Sequence, residues 1–313
     1  MNILCVGEAM VELSLTGGQS SANVGFAGDT LNTAVYLQRT LNAGNDASEH
    51  SVSYLTALGH DAFSAQMVSL MASENIGTDL IQYHSDRVPG LYAINTDDAG
   101  ERSFTYWRDQ SAARALFSTE IVPELSELNR FDLIYYSAIS LAILPDAIKQ
   151  RWLEFLHTFR NLPGKQVAFD SNYRPRLWDS PAHAREYIEA AYRQCDVALP
   201  SMDDEMEAFG DTDRSELLHR LNSYGVRRGV LKCGVDGPVD LADTSTVYDL
   251  PVQPHVVDST AAGDSFNGAY LAGLMCGKPS AACIEQGHNC ARRVIGFRGA
   301  IVDPELWNND AQA

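Results

Sequence analysis

The sequence lacks three features that would mark a nucleic-acid-binding, membrane or secreted protein. Lys and Arg total 23 against 41 Asp and Glu, and the net charge of −18 excludes a global basic surface for nucleic acid. No apolar run approaches the roughly 18 residues that a membrane span requires. The N-terminal apolar run Met1–Val6 has no basic segment before it, as a signal peptide would. We therefore predict a cytoplasmic protein without nucleic-acid or membrane partners.

Paired cysteines are also absent. The six cysteines, at positions 5, 195, 233, 276, 283 and 290, form no Cys-x-x-Cys pair and lie mostly in apolar segments. The last three are spaced by seven residues, which is about 10.5 Å along one helix and too far for a shared metal ion. Pro279 would also interrupt such a helix. We interpret all six as reduced, buried thiols of a cytosolic protein.

The sequence does contain a regular alternation of short apolar runs and helix-length segments. Its 313 residues, 45% of them hydrophobic, suffice for one large α/β domain or two ordinary ones. The runs that suit buried strands are Ile3–Val6, Val52–Ala57, Phe131–Tyr136, Gln166–Phe169, Asp196–Leu199 and Gly229–Lys232. The helix-length segments include Thr30–Leu41, Phe63–Ser73, Pro145–Arg160, Pro181–Arg193 and Ser215–Tyr224. This alternation predicts an α/β fold with a mostly parallel sheet between helices, and ligands beyond the carboxyl ends of the strands.

Two segments break this alternation, at approximately residues 8–28 and 88–110. In the second, alternating apolar residues flank the Gly-containing turn Asp97–Gly100, which predicts a β-hairpin over Pro89–Arg108. A small β-sheet beside the main sheet could serve as a lid over the ligands. An ordinary edge hairpin explains the pattern equally well.

The segment with the clearest chemistry is Val256–Tyr270, where small residues precede a helix. Ala261, Ala262 and Gly263 leave backbone N–H groups accessible at the helix start, which together with the helix dipole makes an anion hole. Asp264 lies inside it. A carboxylate there can accept a proton from an attacking hydroxyl while the amides bind phosphoryl oxygens. By spacing alone, however, Asp264 is better explained as a first-turn acid that the dipole favours.

The run Asp258–Phe266 resembles the Asp-Thr-x-Gly-Ala-Gly-Asp-x-Phe signature of ribokinase-like (PfkB) carbohydrate kinases. Ala261 stands where that signature usually has Gly, and Ala can keep the loop if its backbone angles are not left-handed. Further segments resemble family motifs in the expected order: Gly25–Ala34, Ala57–Asp61 and Asp170–Pro175. The resemblance covers nearly the whole chain. It implies one ribokinase-like kinase domain over residues 1–313 with a small β-sheet lid, and ATP-dependent phosphorylation of an alcohol with Asp264 as the base.

Within this family, the substrate segments look most like those of kinases that phosphorylate 2-keto-3-deoxygluconate at its 6-hydroxyl. A sugar acid requires hydrogen-bonding side chains for its hydroxyls and a cation for its carboxylate, and arginine fits a carboxylate bidentately. For each arginine or tyrosine the alternative is a surface ion pair or a core aromatic. The expected substrate-binding residues are Gly28, Asp29, Asn32, Tyr92, Tyr106, Arg108 and Arg174.

The nucleotide side of the resemblance rests mainly on Leu231–Pro238, which looks like the family's Lys-x-Gly-x-x-Gly segment at the ATP phosphates. Ser201 and Asp204 stand where the family has an Asn-x-x-Glu motif linked to Mg²⁺ and phosphate. A carboxylate survives, so the resemblance still implies Mg²⁺ held largely through water, without a direct protein ligand. The expected nucleotide-binding residues are Asn172, Ser201, Lys232, Gly234, Gly237 and, at the adenine edge, Asn289.

Three other functions remain open from the sequence. A kinase of a neutral sugar such as fructose would not need Arg108 and Arg174 at its substrate. A non-catalytic sugar-acid sensor would keep the pocket but would not need Asp264, and a nucleoside-binding protein would carry out no transfer. The sequence also suggests a homodimer, because lid strands that expose one apolar face, Leu13 and Leu15 with Leu91 and Ala93, would favour pairing between subunits.

Overall fold

A computed structural model of the chain describes residues 1–15, 21–44, 50–96, 102–118 and 124–310. Its strands are β1 (Asn2–Val6), β2 (Met10–Leu15), β3 (Ala22–Ala27), β4 (Ser51–Leu55), β5 (Ala57–Leu58), β6 (Ile76–Gly77), β7 (Gln82–Tyr83), β8 (Gly90–Thr96), β9 (Arg102–Trp107), β10 (Leu133–Ser137), β11 (Gln166–Asp170), β12 (Val197–Ala198), β13 (Val230–Leu231) and β14 (Val239–Asp240). Its helices are α1 (Asp29–Asn42), α2 (Ala62–Ser73), α3 (Ala138–Ala142), α4 (Asp146–Arg160), α5 (Pro181–Arg193), α6 (Met202–Phe209), α7 (Arg214–Ser223), α8 (Ala262–Met275), α9 (Ser280–Val294) and α10 (Pro304–Asp310).

The central sheet has six strands in the order β12-β11-β10-β1-β4-β6, and every pairing is parallel. Two parallel bridges, Ala198 with Gly229 and Ser201 with Lys232, link the β12 edge to the segment around β13. All six predicted strand runs and all five predicted helices are confirmed, with boundaries that differ by a few residues at most. The predicted α/β fold is therefore confirmed.

Helices cover both faces of this sheet. Along β1, Leu4 and Val6 belong to one hydrophobic core with α4 and α5, whereas Ile3 and Cys5 belong to a second core with α1 and α8. Because successive strand side chains point to opposite faces, a strand buried on both sides needs a continuous apolar run. That requirement explains why strands such as β1 and β10 are mostly apolar in the sequence.

A separate four-stranded sheet, in the order β3-β2-β8-β9, contains both segments that broke the alternation. We call it the lid sheet. The predicted hairpin is confirmed, since β8 and β9 pair antiparallel with Tyr92 opposite Tyr106. The predicted turn Asp97–Gly100 lies outside the described residues. Whether this sheet moves as a lid stays a prediction.

Close packing of α1 against α8 brings the start of each helix to the carboxyl end of the central sheet. The contact depends on Gly268, because a Cβ there would lie 2.6 Å from the carbonyl oxygen of Thr33 and 2.7 Å from the amide nitrogen of Leu37. Both helices therefore present their first turns, with Asp29 and Asp264, to the same region.

The cysteines follow the prediction with one correction. Five are buried, but Cys276 is exposed because it caps the C-terminus of α8 instead of continuing a helix. Pro279 then precedes α9, as expected for a helix interruption. In the parts of the chain that the structure describes, no helix has the length and apolar character required to cross a membrane.

Candidate active site

The first turn of α8 carries the residues predicted to form the anion hole. No side-chain hydrogen bond caps this helix. The amide of Ala262 donates to the carbonyl of Ser259 at 3.2 Å, which leaves the amides of Gly263 and Asp264 as the first-turn donors that an anion can use. The anion hole thus has fewer backbone amide donors than the sequence suggested.

Ala261 adopts the left-handed conformation, with φ 60° and ψ 16°. The expectation that Ala keeps this loop through ordinary backbone angles is therefore wrong, and the residue carries strain of about 1–2 kcal/mol. The surrounding contacts hold it there. The Ala261 carbonyl accepts a hydrogen bond from the amide of Ser265 at 2.8 Å. The carboxylate of Asp258 accepts hydrogen bonds from the amides of Thr260 and Gly299, each at 2.8 Å.

The Asp264 carboxylate lies between the starts of α1 and α8. The side-chain amide of Asn32 donates to Asp264 Oδ2 at 2.8 Å, and the hydroxyl of Thr33 donates to the Asp264 carbonyl at 3.1 Å. Burial, then the nearby carboxylate of Asp29, raise the pKa of Asp264 to about 7. The oxygen of the same Asn32 amide, Oδ1, is buried and has no partner, so it can accept a hydrogen bond from a hydroxyl of a bound ligand.

Asp29 is the second carboxylate of this region, at the first position of α1. Asn172 connects it to the central sheet: its side-chain amide donates to Asp29 Oδ2 at 2.9 Å, and its backbone amide donates to Asp170 Oδ1 at 3.0 Å. Burial raises the pKa of Asp29, although hydrogen bonds from Ser137, Thr30 and Asn172 oppose the shift. Asn172, which was predicted to bind the nucleotide, therefore contacts Asp29, which was predicted to bind the substrate.

Gly28, which precedes Asp29, has a steric role in this arrangement. A Cβ at this position would collide with the carbonyl oxygen of Glu8, in the segment between β1 and β2. The structure therefore explains Gly28 by close backbone packing between the start of α1 and this segment. A contact with substrate stays a prediction.

Lys232 lies close to the start of α8. Its ammonium contacts Asp170 Oδ2 at 2.7 Å and Asn267 Oδ1 at 3.1 Å, and it lies 3.5 Å from the point where a Cβ on Gly263 would be. Asn267 also donates to Asp170 Oδ2 at 2.6 Å. Sequence reasoning missed Asn267 and the central position of Asp170. Helical spacing offered a signal, because Asn267 lies three residues after Asp264.

The Gly-rich turn after Lys232 leaves room for a ligand close to the backbone. Gly234 and Gly237 both have positive φ, 54° and 81°, and a Cβ on either would meet nothing within 4 Å. Ser201, at the N-cap of α6, forms a parallel bridge with Lys232. The structure therefore brings together Ser201, Lys232 and this turn, as predicted for a phosphate site.

Asn289 lies on α9. It lines a groove between α1, α9 and α10 together with Arg39, Glu74 and Trp307. The predicted contact of Asn289 with adenine stays a prediction.

The inner face of the lid sheet packs over the loop that precedes α8. Tyr92, Met10 and Ile94 form a buried cluster with Ala300, and Ala261 packs against it. The Tyr92 hydroxyl donates to the carboxylate of Glu12, and its ring lies 5.7 Å from that of Tyr106. Two of the predicted substrate residues therefore lie on the face that covers the site.

The two predicted arginines differ in their surroundings. Arg108 is buried in an ion pair with the fully buried Glu8, in which Arg108 Nε and Glu8 Oε1 have no partner. Arg174 pairs with Asp204 at 3.2 Å to each carboxylate oxygen, and 48% of its side chain is exposed. Arg174 is therefore the cation that a ligand can reach more easily.

Magnesium fits this region only as an ion held mainly by phosphates and water. Among the described residues, no three His, Cys, Asp or Glu side chains are grouped as metal ligands. Asp204 and Asp170 are the carboxylates beside Lys232, and each pairs with a cation, Arg174 and Lys232 respectively. Such oxygens suit the outer coordination of Mg²⁺, which keeps several waters.

The chain is similar to known proteins over nearly its whole length. The model of the family described as pfkB family carbohydrate kinase matches residues 1–307. A 2-dehydro-3-deoxygluconokinase of Dickeya dadantii is 41% identical over 309 residues, 97% of each chain. One from Escherichia coli K12 is 39% identical over 308 residues, also 97% of each. The solved aminoimidazole riboside kinase of Salmonella enterica, complexed with aminoimidazole riboside and an ATP analogue, has a TM-score of 0.79 at 20% identity and covers 99% of both chains.

Proposed function

This chain belongs to the pfkB family of carbohydrate kinases, and we propose that it transfers the γ-phosphoryl group of ATP to the 6-hydroxyl of 2-keto-3-deoxygluconate, also called 2-dehydro-3-deoxygluconate. The names of the relatives at 39–41% identity support this acceptor. The observation that carries the reaction is the Asp264 carboxylate at the start of α8, beside the first-turn amides. A carboxyl whose pKa is raised to about 7 suits a general base near neutral pH.

In the proposed step, Asp264 accepts the proton of the 6-hydroxyl as its oxygen bonds to the γ-phosphorus. The bond between that phosphorus and the β–γ bridging oxygen breaks, and ADP leaves. The amides of Gly263 and Asp264 and the ammonium of Lys232 stabilise the charge that develops on the phosphoryl oxygens. Asn32 orients Asp264 through its 2.8 Å hydrogen bond.

The acceptor would lie between Asp264 and the inner face of the lid sheet. The unpaired oxygen of Asn32 and the carboxylate of Asp29 can bind its hydroxyls, and Arg174 can bind its carboxylate. Tyr92 and Tyr106 would cover the sugar and exclude water, which limits hydrolysis of ATP. Arg108 would act here only if it kept Glu8 as a partner, because leaving that carboxylate buried and unpaired is costly.

The nucleotide would lie on the side of Ser201, Lys232 and the Gly234–Gly237 turn. The turn allows phosphate oxygens to approach the backbone closely, and Lys232 supplies the cation. Mg²⁺ would neutralise the nucleotide phosphates, and Asp204 and Asp170 would hold it through water.

Replacing the base tests this proposal. Asp264→Asn should lower kcat by about 10²- to 10⁴-fold, because the amide cannot accept the proton. The exposed Asp249→Asn, in the segment between β14 and α8, is the matched control and should keep wild-type turnover. ATP turnover should be measured with a panel of sugar acids, neutral sugars and nucleosides. Near wild-type turnover by a correctly folded Asp264→Asn would contradict the role of Asp264.

The same panel separates the remaining functions. A neutral-sugar kinase would prefer fructose, and Arg174→Gln would then leave KM for that substrate unchanged. A sugar-acid sensor would bind the acid but transfer no phosphoryl group to any member of the panel. A nucleoside-binding protein would bind nucleosides alone.

We also propose a homodimer through the outer face of the lid sheet. Leu15, Val24 and Trp107 expose 41%, 53% and 60% of their surface there, beside Leu13 and Leu91. Apolar patches of this kind favour pairing with a second copy. Sedimentation of the wild type should give a dimer and that of Trp107→Glu a monomer. A wild-type monomer at micromolar concentration would exclude the dimer.

A further inference from the structure

The Arg174–Asp204 ion pair bridges the two halves of the proposed site. Arg174 follows β11 and lies on the acceptor side, whereas Asp204 belongs to the first turn of α6, beside Ser201. The guanidinium Nη1 lies 3.2 Å from both carboxylate oxygens and also donates to the carbonyl of Tyr173 at 2.6 Å. Each charged group therefore has a partner within the protein.

The charges around each partner show which half of the site it faces. Partial burial acts to lower the pKa of Arg174, but the carboxylates of Asp204, Asp264 and Asp29 outweigh it and raise the pKa. Burial raises the pKa of Asp204, with Arg174 and Lys232 acting against the shift and Asp170 acting with it. Arg174 thus lies in the field of the proposed base, and Asp204 in the field of the phosphate-side residues.

This pair can exchange partners more easily than the other arginine pair of the site. Arg174 is 48% exposed and Asp204 is 21% exposed, so water can solvate either group when they separate. Arg108 and Glu8 are only 9% and 1% exposed, and separating them would leave charges without water. Partly exposed ion pairs contribute little to stability, so a ligand anion can compete for the cation.

On the basis of the proposed function, we propose that Asp204 is an internal competitor for the carboxylate of the sugar acid. Without a bound acid, Asp204 forms an ion pair with Arg174. When the acid binds, its carboxylate takes the place of Asp204 on Arg174, and Asp204 is released toward Lys232 and the hydrated magnesium ion of the nucleotide. Asp204 thereby lowers the affinity for the acid and links it to the phosphate side.

Linkage makes this coupling reciprocal. The acid stabilises the state in which Arg174 and Asp204 are apart, and a magnesium ion near Asp204 stabilises the same state. Each ligand should therefore raise the affinity for the other by the same factor. A positioning role of Asp204 for α6 alone predicts no such dependence on magnesium.

Calorimetric titration of the nucleotide-free protein with 2-keto-3-deoxygluconate tests the proposal directly. Asp204→Asn keeps the shape of the side chain but removes its charge, so it should bind the acid about two- to fivefold more tightly than the wild type. Magnesium chloride added together with a non-hydrolysable ATP analogue should then strengthen binding of the acid to the wild type more than to Asp204→Asn. Equal or weaker binding by Asp204→Asn would overturn the competition, and an equal magnesium effect on both proteins would overturn the coupling.

Two controls complete the experiment. In an Arg174→Gln background the Asp204→Asn change should no longer affect the affinity for the acid, because the contested cation is absent. Thermal unfolding with similar midpoints for all variants would show that the effects are not structural. If the wild type neither binds nor phosphorylates the acid, the proposed function fails. If it phosphorylates the acid but Asp204→Asn gains no affinity, only the role of Asp204 fails.

Discussion

The hydrogen bond from Asn32 to Asp264 makes the pH dependence of the proposed kinase predictable. Only the ionised form of Asp264 can accept the proton of the acceptor hydroxyl. With a pKa near 7, kcat/KM of the wild type should be constant at high pH and should fall as the pH drops through about 7. The amide of Asn32 stabilises the ionised form, so Asn32→Ala should shift this fall to higher pH.

The size of the shift follows from the geometry. The bond is 2.8 Å long and Asn32 is 4% exposed, so the amide is a well-aligned donor to a charged group away from water. Such a bond contributes about 1.5–3 kcal/mol. Since about 1.4 kcal/mol corresponds to one pKa unit, the midpoint should rise by about one to two units.

Replacing the neighbouring carboxylate should have the opposite effect. Asp29 raises the pKa of Asp264 by charge repulsion. Asp29→Asn removes that charge, so the midpoint should move below about 7. The two variants act on one carboxylate with opposite signs, which a general loss of stability or substrate binding would not produce.

The assay measures kcat/KM for the acceptor between about pH 5.5 and 9, with nucleotide and magnesium saturating so that nucleotide ionisation does not contribute. Thr33→Val is the matched control, because the Thr33 hydroxyl bonds the Asp264 carbonyl and not its carboxylate. Its midpoint should equal that of the wild type. Midpoints that coincide in Asn32→Ala, Asp29→Asn and the wild type would refute the assignment of Asp264 as the titrating base.

Three stability measurements by thermal or denaturant unfolding test the local packing of the site. Ala261→Gly should stabilise the protein by up to about 1 kcal/mol because it relieves the strain of the left-handed conformation. The control Ala262→Gly, in the helix, should destabilise the protein by about 0.5–1 kcal/mol. A stability change of the same sign in both variants would contradict the strain at Ala261. Gly268→Ala should cost about 1–3 kcal/mol because its Cβ would press on the backbone of α1, and an unchanged midpoint would contradict that contact. Glu8→Gln should cost about 3–5 kcal/mol because it leaves the Arg108 charge buried without its partner, and a stable variant would show that water reaches this pair.

The fold was largely predictable because strand and helix patterns are local. The middle strands of the central sheet are buried on both faces and are therefore mostly apolar, as in Leu133–Tyr136 of β10. The lid hairpin was predictable because the alternation on either side of a Gly-containing turn is also a local pattern. Strand order and the packing of α1 on α8 were not predictable in this way, since they depend on contacts such as that of Gly268 with Thr33.

The candidate site was predictable where a residue type has few alternatives, as for Asp264 after a run of small residues. It was not predictable where a function depends on a distant partner. Glu8 contacts Arg108, which lies 100 residues away, and nothing in the local sequence around either residue indicates the pairing. For the same reason the sequence suggested equal roles for Arg108 and Arg174, which the structure places in different surroundings.

The acidity of the chain raises the question of how it would bind two anions. The cations beside the proposed base are Lys232 and Arg174, and each already has a carboxylate partner, Asp170 and Asp204. Lys232 is rigidly held, because Asp170 is buried and Asn267 also contacts it, so its field acts on the phosphoryl group without rearrangement. Arg174 is held only by a partly exposed contact. Selectivity for a sugar acid would therefore depend less on the number of arginines than on how easily the ion pair between Arg174 and Asp204 separates.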